Sequence, residues 1–376
     1  MNAPTTGPLD AAHPLSLPRL TVSGSPQQMG EQYGAHFKEL IQPFVAARVM
    51  AVETYLRGVG HEGTDRLFDA GARCLEIVRS FDPEGYEEHM GIAAGSGIDP
   101  VRLFTTANMT DIRDIIAYPG DPVVTEDEGC TVGLIPPGMT ASGRALQGQT
   151  WDLNGPDVEY VIALHRLPDE GPETWTVTCA GCQTLMGMNQ HGIAVGTTNL
   201  KTFGAQVGVP YLSLLNRALR AETRAGASAI VEAASVAGAH SYWIGDAQGA
   251  VEWEKSPQSS TARTTDDGPL ARSNHCLVDE NIARETDLSP STYDRFNRIS
   301  ALLRASSDHD VPSMKAMFAD RADGRLSINR FAEDNSGATT NAVVACDPGA
   351  LEFHACRGPS DKGEWVRLAF DRASTD

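Results

Sequence analysis

The sequence predicts an α+β fold in which helices cover mostly antiparallel sheets. Two observations support this prediction. Apolar residues recur at helical spacing through most of the N-terminal third, and from Cys130 onward the pattern changes to short runs rich in β-branched and aromatic residues, divided by turn sequences. Strands in two batches, with helices before and between them, are typical of a layered α+β domain.

The N-terminal third is predicted to be mainly helical. Residues 1–20 form a loose, proline-rich leader, after which Ser25 is a suitable N-cap and Pro26 occupies the first helical position. Helical spacing then continues for about thirty residues. Further helices are expected over residues 64–80 and from 83 to about 96.

The remaining two thirds are predicted to mix strands and helices. Helices are expected over 211–225 and 227–236, with a break at Gly226, and over 292–305. A hairpin is expected about residues 246–249. The predicted strands lie in CTVGLIPP, RALQGQTWDL, VEYVIALHRLP, TWTVTCAG, MGMNQHGIAVGTTNL, SYWIGDAQGAVEWEKS and NAVVACDPGALEFHACRG.

Composition limits the class of protein. The 376 residues are 41% hydrophobic and 21% charged, enough for one large domain or two modest ones. A formal net charge of −19 makes nucleic acid and acidic membrane surfaces poor partners. The first residues lack the pattern of a secretory signal, and no run of about 18 apolar residues occurs. The seven cysteines are scattered, so we expect a cytoplasmic protein without a disulfide framework.

A change in composition marks the segment before Cys130. Residues 118–129, YPGDPVVTEDEG, are acidic and poor in core-type residues, so we expect an exposed loop. A cysteine that opens a strand is most often inert packing. Cleavage of the Gly129–Cys130 bond, however, would give Cys130 a free α-amine. With a reference pKa of about 7.7–8.0, that amine can take the thiol proton, so that base and nucleophile belong to one residue.

Several short motifs together resemble one enzyme family. They are SPQQMGEQYGAHF, GCT at 129–131, QGQTWDLN at 147–154, MGMNQHGIAVGTTNL, RSNHCL, SINR and LEFHACRGPS. In order and content they resemble the acyl-CoA:6-aminopenicillanate acyltransferase family, also called the C45 peptidases, over roughly residues 25–360. The resemblance implies a self-processing N-terminal-nucleophile (Ntn) hydrolase, an αββα four-layer sandwich made as an inactive precursor.

The resemblance also implies roles for individual residues. Cys130 is the implied nucleophile, and Gly129–Cys130 the bond that is cut. Asp152, in QTWD, is implied to accept a hydrogen bond from the α-ammonium group or to position the thiol; a turn aspartate is the alternative interpretation. Thr150 stands where the family has asparagine and is a weaker candidate for the oxyanion site.

Two further polar residues are assigned in the same way. Asn274, before the histidine in RSNHCL, is implied to stabilise an oxyanion through its amide N–H. Arg330, the last residue of SINR, is implied to bind a substrate carboxylate or to hold Asp152; Asn329 replaces the cysteine of the family motif. Asn199, in GTTNL, is a weaker second oxyanion candidate, by analogy with bile-salt-hydrolase-like enzymes. A turn or cap asparagine and a surface arginine are the alternatives.

Two pairs of residues suggest other chemistry. Cys179 and Cys182 form CAGC, a spacing found in redox motifs and in half of a zinc site, but it lies between two predicted strands and no second ligand pair accompanies it. We predict packing or a cavity wall, with a redox or zinc role as the alternative. Cys276 and His275 are adjacent in a predicted strand and would face opposite sides, so we expect no Cys–His dyad.

The function expected from the resemblance is amide hydrolysis. The precursor would divide into a helical chain 1–129 and a catalytic chain 130–376 that remain together in one domain. A small amide or N-acyl compound is the expected substrate, cleaved through an acyl-thioester without a cofactor or a metal. Acyl-CoA-dependent transfer is the alternative, although a basic cluster for the CoA phosphates is not evident. A non-catalytic binding protein is a second alternative, and a homo-oligomer is left open.

Overall fold

The computed structural model describes residues 15–58, 60–117, 129–286, 288, 291–334 and 337–371. The leader predicted over 1–20 therefore falls within the described residues only from residue 15 onward. The acidic segment 118–128, with its run of acids at 126–128, lies outside them. Within the described chain, no helix combines the length and the apolar character needed to cross a membrane.

The helices of the described residues lie in three groups along the chain: one before residue 129, one between residues 211 and 233, and one between residues 279 and 318. They are α1 (Pro26–His36), α2 (Lys38–Gly58), α3 (Asp65–Phe81), α4 (Pro83–Ser96), α5 (Pro100–Ala107), α6 (Met109–Ala117), α7 (Tyr211–Leu219), α8 (Arg224–Ala233), α9 (Asp279–Ile282), α10 (Ser291–Arg304) and α11 (Val311–Phe318).

The strands form two sheets. They are β1 (Arg19–Gly24), β2 (Gly129–Ile135), β3 (Leu146–Asn154), β4 (Val161–Pro168), β5 (Thr174–Cys179), β6 (Met186–Asn189), β7 (Ala194–Leu200), β8 (Ala239–Asp246), β9 (Gly249–Lys255), β10 (Ser260–Thr264), β11 (Leu270–Arg272), β12 (Ala338–Asp347), β13 (Glu352–Arg357) and β14 (Trp365–Leu368). One sheet has the order β1-β4-β5-β6-β7-β8-β9-β10, and the other β11-β2-β3-β12-β13-β14. Every adjacent pair is antiparallel except β1 and β4, which confirms the prediction of mostly antiparallel sheets.

The two sheets pack face to face. Val132 and Val344 of the six-stranded sheet share one core with Ala163 and Val177 of the eight-stranded sheet. Side chains alternate along a strand, so the neighbour Ile162 points to the opposite face, where it packs against residues of α1, α2, α4 and α5.

Helices cover both outer faces. α7 and α8 pack on β7–β9 of the eight-stranded sheet, while α10 and α11 pack on the six-stranded sheet, where Ile299 and Phe318 meet Val343. The resulting order of layers is αββα, as expected, with the N-terminal helices on the eight-stranded sheet.

The first predicted helix is confirmed at its start and corrected within. The Ser25 hydroxyl accepts from the Gln28 N–H, and the Gln28 side chain accepts from the Ser25 N–H at 3.0 Å, a capping box followed by Pro26. The continuous helix of about thirty residues is instead two helices, because α1 ends at His36 and α2 begins at Lys38.

Two other expectations are wrong. The break predicted at Gly226 does not occur, because the Thr223 hydroxyl caps α8 by accepting from the Gly226 N–H at 3.1 Å, and Gly226 lies inside the helix. Part of the predicted leader is strand β1, whose Arg19 pairs with Ala163 of β4. The boundaries of α4 and the hairpin of β8 and β9 are confirmed.

A buried histidine joins α4 to α5. His89 Nε2 lies 2.8 Å from the Pro100 carbonyl oxygen, and the ring packs edge-on against Phe104 at 5.3 Å. Burial lowers the pKa of His89 to about 4, although the hydrogen bond to Pro100 opposes the change. The folded protein therefore holds this ring neutral at pH 7.

This histidine should make the fold sensitive to acid. Its pKa is about 4 in the folded state and about 6.5 in an unfolded chain. As pH falls from 6.5 to 4 the unfolded state alone binds the proton, so the free energy of unfolding decreases, by up to about 3 kcal/mol. We expect His89→Gln to lose less thermal stability than the parent between pH 7 and pH 5.

The exposed His191 supplies the matched control. His191→Gln should follow the parent at both pH values. Equal losses of melting temperature in the parent and in His89→Gln would contradict the assignment.

Candidate active site

The register of β2 and β3 places the predicted nucleophile. Gly129 pairs with Asp152, and Cys130 pairs with Trp151. Asp152 also pairs with Thr340 of β12 on its other side. The start of β2 is thus fixed against an interior strand, and the sequence-distant residues Gly129, Asp152 and Thr340 are neighbours.

Two polar side chains contact the backbone of Cys130, which is only 6% exposed. Its N–H donates to Asn274 Oδ1 at 2.7 Å, and its carbonyl oxygen accepts from Arg295 Nη1. Arg295 Nη2 also donates to Asn274 Oδ1, at 3.0 Å. In the uncut chain, the nitrogen held by Asn274 is the amide nitrogen of the Gly129–Cys130 bond.

The orientation of the Asn274 amide follows from its partners. Oδ1 accepts from Cys130, while Nδ2 donates to the Asn199 carbonyl oxygen at 3.0 Å. The Asn274 N–H donates to Thr292 Oγ1 at 2.9 Å, which ties the loop to α10. Nδ2 carries two hydrogens, so the second remains compatible with the predicted oxyanion contact.

Asp152 is fully buried beneath Gly129. Its Oδ1 accepts from the Thr340 hydroxyl at 2.8 Å, whereas its Oδ2 is buried without a hydrogen-bond partner among the described residues. Burial raises the pKa of Asp152, and the charges of Arg295 and Arg330 oppose the rise. A buried carboxyl with one unused oxygen is a stronger proton acceptor than a surface aspartate.

Gly129 occupies a position that leaves little room for a side chain. A Cβ there would lie 3.0 Å from Arg330 Nη1, 3.1 Å from Arg295 Nη2 and 3.1 Å from Asp152 Oδ2. The three charged groups therefore converge on the residue before Cys130, and the glycine makes their approach possible.

Arg330 and Thr150 are both fully buried, and neither lines the cavity that adjoins Cys130. Thr150 Oγ1 accepts from the Thr131 N–H at 3.1 Å. Both roles of Arg330 stay predictions; its guanidinium lies close to Gly129, and its charge opposes the rise in the pKa of Asp152. Asn329, which departs from the family motif, is also buried, and its amide donates to Asp361 at 2.7 Å.

A cavity opens in front of Cys130. The predicted residues that line it are Gly129, Cys130, Asp152, Asn199 and Asn274. Helices α2 and α6 and the end of α5 add Phe44, Arg48, Ala107 and Thr110 to the walls. The cavity is thus built from segments on both sides of the Gly129–Cys130 bond.

Comparison with known families identifies the family to which the chain belongs. The family model described as acyl-coenzyme A:6-aminopenicillanic acid acyl-transferase matches residues 139–359, more than half of the chain. The chain belongs to this family. No curated protein sequence matches it significantly.

Solved structures similar to this member of the acyltransferase family are distant. A mutant of the conjugated bile acid hydrolase of Clostridium perfringens is 11% identical with a TM-score of 0.41, covering 64% of this chain and 97% of its own. Penicillin V acylase from Agrobacterium tumefaciens is 10% identical with a TM-score of 0.44, covering 65% and 87%. The Caenorhabditis elegans ortholog of N-acylethanolamine-hydrolyzing acid amidase is 10% identical with a TM-score of 0.42, covering 58% and 93%. These values are too low to support an inference about activity.

The sequence analysis did not single out Arg295, whose guanidinium contacts Cys130 and its neighbours in this acyltransferase-family site. Besides the bonds described above, its Nη1 donates to Thr131 Oγ1 at 3.2 Å. A signal was present in the predicted helix. Positions 291, 295, 299 and 303 share one helical face, and all are buried, so an arginine stands in an otherwise core-facing stripe.

Cys179 and Cys182, the two cysteines of CAGC, both line the cavity of this family member. They lie in a turn whose Gly181 N–H donates to the Tyr33 hydroxyl at 2.7 Å. Burial raises the pKa of Cys182 to about 12, so its thiol is not activated. Among the described residues, no group of His, Cys, Asp or Glu is arranged to hold a metal ion.

The segment RSNHCL differs from the expectation of a strand. Strand β11 ends at Arg272, and residues 273–276 form a loop. His275 and Cys276 therefore do not lie in a strand, and the prediction that they face opposite sides of one is wrong. His275 Nδ1 lies 3.1 Å from Ser273 Oγ, while the Cys276 N–H donates to Glu285 Oε1, and neither residue lines the cavity.

The crowding at Gly129 gives a test by substitution. The variants are compared in a Cys130→Ala background, where the proposed cleavage cannot occur and every chain stays intact. In that background, Gly129→Ala should lower the free energy of unfolding by about 1–3 kcal/mol. The added methyl group must displace Asp152 or an arginine. Urea denaturation measures the change.

Gly133→Ala on the same strand is the matched control, because its Cβ meets the movable Cδ2 of Leu303, at 3.3 Å. We expect it to cost clearly less than Gly129→Ala. Equal costs at the two positions would contradict a special constraint at Gly129.

Proposed function

We propose that the protein is an autoproteolytic amidohydrolase that cleaves a linear amide of a small N-acyl compound through an acyl-thioester on Cys130. One observation carries the proposal. The Cys130 nitrogen, the α-amine of a chain that starts there, is held by Asn274 at 2.7 Å in a cavity that Asp152 also lines. Nucleophile, base and a polar cluster are thus present at one point.

The first reaction is cleavage of the chain. The Cys130 sulfur attacks the Gly129 carbonyl carbon, the bond from that carbon to the Cys130 nitrogen breaks, and the nitrogen leaves as an amine. Water then hydrolyses the thioester and gives a carboxylate on Gly129. Asp152, with its raised pKa and unused Oδ2 close to Gly129, is the proposed acceptor of the thiol proton, which it then passes to the leaving Cys130 nitrogen.

Substrate turnover uses the group that cleavage frees. The α-amine of Cys130 takes the thiol proton, and the thiolate attacks the carbonyl carbon of the substrate amide. The second Nδ2 hydrogen of Asn274 is the proposed oxyanion donor, with Asn199 beside it in the cavity wall. The substrate amine leaves with a proton from the α-ammonium group, and water releases the acid from the thioester.

The two product chains are proposed to remain together as one domain. Strand β1, from the N-terminal chain 1–129, pairs with β4 of the catalytic chain 130–376. Helices α1, α2 and α4 share a core with residues of β4 such as Ile162 and Leu164. Cleavage at Gly129 breaks none of these contacts. The scattered cysteines support a reducing compartment, and we keep the cytoplasm as the proposed location.

Charge favours water over acyl-CoA as the reaction partner. Arg48 is the only arginine or lysine among the described residues that line the cavity. Coenzyme A carries several phosphate charges, for which a cluster of basic residues would be expected. We therefore place amide hydrolysis first and acyl-CoA-dependent transfer, the reaction in the family's description, second.

The self-cleavage step has a direct test. The parent protein should yield two chains on denaturing electrophoresis, the larger starting with Cys130 and Thr131 by N-terminal sequencing. Cys130→Ala should remain one chain of 40.2 kDa. Cleavage at the same bond in Cys130→Ala would refute the role of the thiol, and an intact, uncut parent would favour a binding protein on this fold.

Hydrolysis and transfer are separated by supplying both possible reactants. The processed protein should release acid from simple N-acyl amides at a rate that does not depend on acyl-CoA. Mass spectrometry should detect no new amide when acyl-CoA and a primary amine are added together. Formation of that amide at a rate above hydrolysis would reverse the order of the two candidates.

A further inference from the structure

The cavity wall contains buried polar atoms that bind nothing in the described part of the protein. Besides Asp152, they are Arg48 Nε, Thr178 Oγ1 and His240 Nδ1. Thr178 and His240 are each 1% exposed. Buried polar atoms are costly when unsatisfied, and native proteins usually pair them with a partner, water or a ligand. Three such atoms on residues that line one cavity are available to water or to a ligand that forms hydrogen bonds.

His240 is held in one orientation. Its Nε2 lies 2.6 Å from Asp111 Oδ1, and its ring stacks on Tyr211 at 4.7 Å. The Tyr211 N–H donates to the other Asp111 oxygen at 2.9 Å. The Asp111 carboxylate can only accept, so Nε2 carries a hydrogen, and in the Nε2–H tautomer Nδ1 carries the lone pair. His240 therefore offers a hydrogen-bond acceptor at the cavity.

Arg48 offers the complementary donor. Its Nη1 makes one long contact to Asp157 Oδ2, at 3.4 Å, and the guanidinium lies over the Phe44 ring at 5.5 Å. Nε has no hydrogen-bond partner in the described chain. The Thr178 hydroxyl can donate or accept, so the wall presents both kinds of hydrogen-bonding group.

We propose that Arg48, Thr178 and His240 form a specificity subsite for a polar head group that has both an oxygen acceptor and an N–H or O–H donor, as in a carboxamide. The inference rests on the proposed function and names the substrate class of the same site. Substrates would be amides whose far end carries such a group, in preference to an alkyl or aryl end. An apolar end would leave all three atoms unsatisfied, which is how a hydrogen-bonding site rejects an apolar analogue.

The remaining walls fit the stem of such a molecule. Phe44, Leu185 and Leu212 line the same cavity as Cys130. Apolar side chains bind methylene groups without imposing direction, whereas the polar atoms fix the position of the head group. In this proposal the nucleophile and the subsite bind opposite ends of one ligand.

Two isosteric acids test the subsite by binding alone. Glutaramate ends in a carboxamide, and 5-methylhexanoate ends in an isopropyl group of the same shape; both carry the carboxylate that hydrolysis would leave at Cys130. Isothermal titration calorimetry with the full protein should give glutaramate a Kd about tenfold lower, or lower still. Equal affinity, tighter binding of 5-methylhexanoate, or no binding of either acid would overturn the proposal.

Substitutions assign the preference to named residues. Arg48→Met keeps the stem and removes the donors, and His240→Phe keeps a planar ring without the acceptor. Each should reduce the ratio of the two affinities about tenfold. Arg79→Met, at a side chain 62% exposed on α3, is the matched control and should leave the ratio unchanged. A purely structural role would weaken both acids equally, and an unchanged ratio would overturn the assignment.

The two proposals can fail separately. Binding of the acids requires no turnover, so a parent protein that stays uncut but prefers glutaramate would refute the proposed function and keep the subsite. A parent that cuts itself and hydrolyses amides without this preference would do the reverse.

Discussion

A buried carboxylate between two buried guanidinium groups is the constraint on which the candidate site depends. Asp152, Arg295 and Arg330 are all fully buried and meet around Gly129. Buried charges are tolerated only with partners, and the loss of one leaves the others uncompensated. Each charge comes from a different element: β3, α10 and the loop before β12. The start of β2 can therefore form only when those three elements have packed together.

The same cluster orients the groups next to the nucleophile. Arg295 contacts both the Cys130 carbonyl and Asn274 Oδ1, so one guanidinium sets the distance between the strand and the loop that bears Asn274. Asn274 in turn binds the Cys130 nitrogen and the Asn199 carbonyl, which lies on the opposite sheet. The chain of hydrogen bonds crosses from the outer helix layer to the eight-stranded sheet. Preorganised polar groups of this kind are what acyl transfer requires.

Local signals in the sequence predicted much of this arrangement, and long-range burial accounts for what was missed. The N-cap at Ser25 and the runs of β-branched and aromatic residues in β2 and β3 depend on neighbouring residues, so the sequence alone was sufficient. Family resemblance brought forward Cys130, Asp152 and Asn274, which the fold gathers at one cavity. Arg48 and His240 carry no local mark, because their partners Asp157 and Asp111 are more than a hundred residues away. Strand β1 was missed for the same reason, since its edge is completed by β4.

Gly129 has one more consequence, for the direction of the proposed cleavage. Asp152, Arg295 and Arg330 sum to one positive charge in the intact chain. Hydrolysis at Gly129 creates a carboxylate on the residue around which these side chains converge. That new anion would lie beside two buried guanidinium groups, which are the partners that a buried carboxylate needs. Stabilising this product would disfavour rejoining of the bond and would retain the new C-terminus where it was formed.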